Sequence, residues 1–299
     1  MNQVFVRARA GGWGRLEDDM RPGSASKTAE LVCMGRAMAH GVLAVGRFND
    51  PTALSLLPEE ARREVERERA GRTAEGARQR LRHAYLQTQS RMMVARTVAI
   101  DDAIRAASAP QLVILGAGLD GRAWRMPELR RVSVFEVDHP DSQREKREKI
   151  AKLSPAADDI RFVPVDFERD SLDSALSAAG HDSARPTTWI WEGVVMYLTQ
   201  ADIEATLAVL QRRSAPHSTL VIAYHSPALI LKVVGLFLRR IGEPLRSAFL
   251  PERMRELLAR YGFRSISDRG LPEIGHALSP DIARGAARVK HLRIVTAVT

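Results

Sequence analysis

The chain has 299 residues, 45% of them hydrophobic and 27% charged, a balance that buries a sizeable core and excludes a mostly disordered polymer. Its net charge of +9 rests on 39 arginines and six lysines spread along the chain, with aromatics at only 5%, so the basic stripe of a nucleic-acid binder is not indicated. Cys33 is the single cysteine, which excludes an intrachain disulfide framework and a cysteine-rich zinc site.

The opening stretch, MNQVFVRARAGGWGRLEDD, lacks the apolar run of a secretory signal. No run of about 18 uncharged apolar residues follows it, which argues against a membrane span. The reading is a soluble cytoplasmic protein with a flexible segment at 1–23. Residues 24–109 read as helical. Leu31, Met34, Met38, Val42 and Val45 recur at the spacing of one apolar helix face. Asn49 and Pro51 then supply a turn in FNDP. Between Glu59 and Arg96, ten arginines are interspersed with six glutamates, the pattern of a solvated helical face. Arg62 to Gln89 predicts a polar helix or helix pair. Met93, Ile100, Ile104 and Ala107 predict a further helix that ends near Pro110.

After Pro110 the period changes. QLVIL (111–115), VSVFEV (132–137), RFVPV (161–165), TTWIW (187–191) and STLVIAY (218–224) are short β-branched runs bounded by turn residues, as buried strands are. Helix-length polar stretches separate them. Pro140 opens one running to Leu153, Thr199 and Asp202 form a capping box ahead of Ile203, and Pro251 opens another that stops at Gly262. This alternation predicts a parallel sheet covered on both faces. FRSISD (263–268) and VKHLRIVTAV (289–298) predict two closing strands, with no obvious crossover to distinguish them from a hairpin-like pair.

The strongest local signal is LGAGLDGR, Leu115 to Arg122, at the end of the first strand. Gly116 and Gly118 permit a tight turn and a close ligand, and the next helix offers free N–H groups. Twenty-two residues past Gly116, Asp138 ends the second strand, where open α/β sheets place an acid against a ribose hydroxyl. Literally read, GAGLDG is a G-x-G-x-x-G, so this element predicts a nucleoside-type ligand and leaves a nicotinamide cofactor open.

The ordered motifs narrow that choice. SKTAELVCMGRAMA with FNDPTALSLLP, VARTVAIDD, LGAGLDGRAWRMP, VFEVDHPDSQREKRE, VPVDFERD, WEGVVMYL and GEPLRSAFLPERMRELLARYGF span roughly residues 25 to 265. In these the chain resembles the leucine carboxyl methyltransferase family, which includes bacterial small-molecule and polyketide O-methyltransferases. The resemblance implies a class I methyltransferase (Rossmann-like) fold: an α/β, seven-stranded, mostly parallel sheet over 110–299, with an insertion at about 226–250 and an N-terminal helical cap. It implies S-adenosyl-L-methionine as cofactor. By motif, Arg96 pairs with the cofactor carboxylate, and Gly116, with Ala117 and Gly118 in the same turn, lies under the methionine portion. Asp138 takes the ribose hydroxyls, Asp166 and Phe167 read the adenine, and Glu192 stands near the amino end. Gly121 departs from the family's usual threonine, and Ile114 stands where other class I methyltransferases often carry an acid.

Plainer readings stand beside these. Arg96, inside the apolar MMVARTVAI, also suits a buried ion pair, and Asp166 and Glu192 also suit helix caps. Asp120 suits a cap as well as a ligand contact. Glu136, two residues before Asp138, projects to the same face and is expected to orient the turn. Tyr197 and His225, near strand ends, are the candidates for orienting or deprotonating an acceptor. A carboxylate acceptor is already ionised and needs no base, whereas a hydroxyl does. The apolar stretch 228–238 predicts a pocket wall or lid and so a hydrophobic acceptor. The expected function is O-methyl transfer to a carboxylate, or hydroxyl, of a small hydrophobic molecule, without metal, nucleic acid or membrane. A homodimer is compatible with the sequence. The rival readings are a nicotinamide-dependent oxidoreductase and a non-catalytic S-adenosylmethionine-binding module.

Overall fold

A computed structural model of the chain describes residues 27–71, 76–167, 169–229, 231 and 245–299. The segment 1–23 and most of the 228–238 stretch lie outside the described residues. The chain first builds helices α1 (Lys27–Ala39), α2 (Ala53–Leu56), α3 (Glu59–Arg69) and α4 (Ala77–Ala107). It then alternates β1 (Gln111–Leu115), α5 (Arg122–Arg125), β2 (Ser133–Asp138), α6 (Pro140–Ile150), β3 (Asp159–Pro164), α7 (Leu172–Ala178), β4 (Thr187–Trp191), α8 (Gln200–Arg212) and β5 (Thr219–His225). It closes with α9 (Pro251–Arg260), β6 (Arg264–Gly270), α10 (Leu271–Leu278), α11 (Pro280–Ala286) and β7 (Leu292–Val298).

The seven strands form one sheet in the order β3-β2-β1-β4-β5-β7-β6. β1 to β5 pair in parallel, and β7 runs antiparallel to both β5 and β6. β1 and β4 are buried along their whole length: residues 112–115 and 189–191 are apolar, and at the strand starts Gln111 Nε2 donates to Thr187 Oγ1 at 3.1 Å. Alternation along β1 divides the core: Leu112 and Ile114 face the layer that includes the cap helices, while Val113 and Leu115 face the other layer. Strand order reverses between β1 and β4, which opens a crevice at their C-terminal ends. The capping box of Thr199 and Asp202 is present at the start of α8. Among the described residues no helix is long and apolar enough to cross a membrane.

Three local expectations change. α1 ends at Ala39 and the chain turns at Gly41, which takes a left-handed φ of 72°. Val42 and Val45 therefore leave the helix face predicted for them and are exposed. The break predicted near Gln89 is absent, because α4 runs unbroken from Ala77. Its N-terminal half carries exposed Leu81 and Tyr85, and burial begins at Leu86, so one helix passes from solvent into the core and its periodicity changes midway. The closing strands do pair antiparallel, but α10 and α11 lie between them. These two helices pack against α4, tied by an Arg91–Asp281 ion pair at 3.0 Å.

Candidate active site

The glycine turn after β1 is shaped by its backbone. Gly116 has φ 68° and Gly118 φ 47°, in the left-handed region where a side chain is strained. A Cβ on Gly116 would also lie 2.4 Å from Val194 Cγ2, so only glycine fits there. The turn is pinned to β2: the N–H groups of Gly116 and Ala117 both donate to Val137 O, at 2.8 and 3.0 Å. Gly118 N–H donates to Asp138 Oδ2, and His139 N–H donates to Asp138 Oδ1 at 2.7 Å. Asp138 thus stands at the C-terminal end of β2, beside the turn. Burial, partly offset by those two N–H groups, raises its carboxyl above the usual aspartate value. A carboxylate has about four acceptor positions, so two backbone bonds leave capacity for two ligand hydroxyls.

The backbone N–H of Val165 donates to Asp138 O at 2.9 Å, which brings Asp166 and Phe167 next to that strand end. Asp166 N–H donates to Asp170 Oδ2 at 2.9 Å, and the Asp166 carboxylate lies 3.4 Å from Arg169 Nε. Tyr197 is buried in the turn after β4, its hydroxyl 3.4 Å from Thr28 Oγ1 on α1, so the cap closes over this edge. Glu136 does not orient the turn. It is fully buried, and Lys146 of α6 donates to its Oε2 at 2.6 Å while lying over the Trp124 ring.

On the other side of the turn lies a buried ion-pair network. Arg96 of α4 meets Glu192 Oε1 at 2.6 Å, the buried ion pair that is the plainer reading of Arg96. Arg122 Nη1 donates to Glu192 Oε2 at 2.9 Å and also to Asp120, and Arg122 Nε donates to Asp101 at 2.8 Å. Asp101 receives two bonds from Arg125, at 2.7 and 2.9 Å. Asp120 also caps α5 by accepting the Arg122 N–H at 2.7 Å. Arg36 of α1 joins from the cap, 3.0 Å from Asp50 and donating to Leu119 O at 2.5 Å. Burial opposes ionisation of Asp120, but the Arg122 charge, then Lys146 and Arg36, outweighs it and holds the carboxyl at about 2. Burial is likewise outweighed at Glu192 by Arg96 and Arg122, and at Asp101 by Arg125 and Arg122, so both stay below the usual carboxyl range.

Arg122, Asp101, Arg36 and Asp50 were not singled out from the sequence. Asp101 carries the same signal as Arg96, a charge inside an apolar helical stretch, and Arg122 directly follows the glycine turn. His225 ends β5, and its ring stacks on His291 with centroids 5.0 Å apart and planes at 24°. Burial, then His291 and Arg96, depresses its imidazole to about 4, so it is neutral near pH 7. β4 and β5 run parallel with Trp191 opposite Ile222, so His225 lies toward the same end of the sheet as Glu192. Among the described residues no three His, Cys, Asp or Glu side chains are grouped to hold a metal ion.

The arrangement fits a nucleoside that carries an amino-acid end. A spare carboxylate beside a glycine turn suits ribose hydroxyls.

The family model described as "Leucine carboxyl methyltransferase" matches residues 29–211. A Mycolicibacterium gilvum protein named "Putative S-adenosyl-L-methionine-dependent methyltransferase" is 39% identical over 171 residues, 56% of this chain and 54% of its own length. The chain therefore spans about half the length of the curated relatives it matches. A solved structure of a "duf574 family protein" from Streptomyces avermitilis superposes with a TM-score of 0.55 at 13% identity, over 93% of this chain and 98% of that one. A second, a "putative methyltransferase" from Thermobifida fusca, gives 0.54 at 12% identity, over 93% and 96%. At such identities these two structures speak for the fold alone.

Proposed function

From the premise that this chain belongs to the leucine carboxyl methyltransferase family, we propose that it is an S-adenosylmethionine-dependent O-methyltransferase whose acceptor is the carboxylate of a small, hydrophobic molecule. Bound S-adenosylmethionine would supply an electrophilic methyl group on a sulfonium. Asp138 would hold the ribose hydroxyls, and Gly116, Ala117 and Gly118 would admit the chain close beneath the methionine portion. Arg96 and Glu192 would take the carboxylate and ammonium of that end, and Asp166 and Phe167 would border the adenine. The protein's contribution is alignment for in-line displacement and exclusion of water, which α1 and Tyr197 provide by covering the strand ends.

One observation carries the choice of acceptor. An imidazole held at about 4 is poorly matched to removing the proton of a phenol near 10. His225 is instead a neutral hydrogen-bonding group that adds no positive charge beside a sulfonium. Tyr197, buried with its hydroxyl 3.4 Å from Thr28 Oγ1, would orient the acceptor. An acceptor that arrives ionised, a carboxylate, is the chemistry these groups serve without a base.

The test is a panel of aromatic and aliphatic acids beside matched phenols, supplied with methyl-labelled cofactor, followed by mild alkali. Release of labelled methanol identifies a methyl ester. Label that resists alkali identifies an ether and hydroxyl methylation. A thermal shift with NAD(P) and none with S-adenosylmethionine or S-adenosylhomocysteine would replace the methyltransferase reading by the oxidoreductase one. Cofactor binding with no turnover across the panel would favour a binding module.

A further inference from the structure

We propose that Arg122 is a positioning residue that sets the site for the cofactor's amino-acid end, acting through Glu192 and leaving the nucleoside end independent. The inference rests on the S-adenosylmethionine reading above. Arg122 is 2% exposed and contacts Glu192 at 2.9 Å. Its fork holds three carboxylates: Asp101 from α4, Asp120 from the glycine turn, and Glu192 from the end of β4. Glu192 is divided between two arginines, with Oε1 on Arg96 and Oε2 on Arg122. The Arg122 bond fixes the carboxylate's rotamer, so that Oε1 faces Arg96. Asp101 is anchored in turn by a bidentate pair with Arg125, so the Arg122 Nε bond to it at 2.8 Å ties the fork to a fixed partner.

Charge gives the same result. Arg36, Arg96, Arg122 and Arg125 face Asp50, Asp101, Asp120 and Glu192, four against four in a water-poor region. Removing the Arg122 charge leaves this cluster net negative beside the proposed carboxylate site, and releases Glu192 Oε2, so that both carboxylate oxygens can turn onto Arg96. The nucleoside contacts stand apart: the Asp138 carboxylate is held by the Gly118 and His139 N–H groups. A lysine preserves charge but not the planar fork that serves three partners.

The experiment compares two ligands by calorimetry on the full chain. S-adenosylhomocysteine carries the amino-acid end, and 5′-methylthioadenosine lacks it. For R122M we expect affinity for S-adenosylhomocysteine to fall about ten- to a hundredfold, the scale of a lost charge-assisted contact, while methylthioadenosine binding stays within about threefold. R122K should fall between wild type and R122M. In an E192Q background the R122M effect should shrink, because the residue through which it acts is already altered. Equal losses for both ligands, or no loss for either, overturn the proposal and leave Arg122 a packing residue. If R122M does not fold, R122K carries the same comparison, with a selective loss in support and an equal loss against. Failure of the wild-type chain to bind either ligand overturns the cofactor reading itself, which is a separate outcome.

Discussion

Replacing Asp138 by alanine tests the proposed ribose contact separately from the fold. The carboxylate accepts two backbone N–H groups, from Gly118 and His139, and the remaining acceptor positions are those assigned to ligand hydroxyls. In the free protein, water can satisfy the two N–H groups at this strand end, so the stability cost should be about 1 kcal/mol. In the complex, the variant also loses charge-assisted bonds to the ribose, worth about 1.5–3 kcal/mol, a loss of one to two decades in affinity. Asp138→Asn keeps one acceptor oxygen and should fall between wild type and alanine. Because burial raises the Asp138 carboxyl, wild-type affinity should decline on acidification earlier than for an ordinary aspartate, and D138N should flatten that decline. Calorimetric titration with S-adenosylhomocysteine, alongside denaturant unfolding, separates the two effects. A folded D138A with unchanged affinity would refute the reasoning and make Asp138 a strand-end cap alone.

Three further outcomes follow from the buried charges. Lys146→Met leaves Glu136 buried and unpaired, at a cost of about 3–5 kcal/mol at pH 8. Burial already pushes Glu136 up to about 7, so its protonated form is favoured in the native state and stability falls as pH rises from 4.5 through that value. The K146M loss should therefore be smaller at pH 5.5, and E136Q/K146M should recover most of it; denaturation at both pH values checks this, and a larger loss at the lower pH would contradict it. Asp120 has the opposite sign: held at about 2, it stabilises the native state above 3.8, and that contribution is lost as pH falls from 3.8 toward 2. D120N should be less stable near neutrality and show a shallower acid limb over that window in an unfolding series. His225→Ala and Tyr197→Phe should each lower turnover only modestly, well short of the roughly 10²–10⁴-fold expected of a general base, and the wild-type rate should be flat from pH 6 to 9; a collapse in either variant would return the acceptor to hydroxyl.

Sequence alone determined the parts of this protein that depend on local order. The runs QLVIL and TTWIW specify strands buried on both faces, because after the opening Gln111 and the Thr187–Thr188 pair nothing polar interrupts them. The capping residues Thr199 and Asp202 specify where α8 begins, because their bonds span only three residues. Gly116, Gly118 and Asp138 were legible because a tight turn and a strand-end acid leave a fixed spacing. Tertiary structure decided what depends on partners distant in the chain. Two acids two residues apart on β2 have unlike roles, since Glu136 meets Lys146 inside the core while Asp138 reaches the open end of the strand. The unbroken α4 was hidden because its solvated half and its buried half obey different periodicities. Arg122 looked like one arginine among 39, and only folding brings Asp101 and Glu192, 21 and 70 residues away, onto its guanidinium. An isolated residue's pattern carries its own burial preference but not the identity of a distant counter-charge, and here the counter-charges make the site.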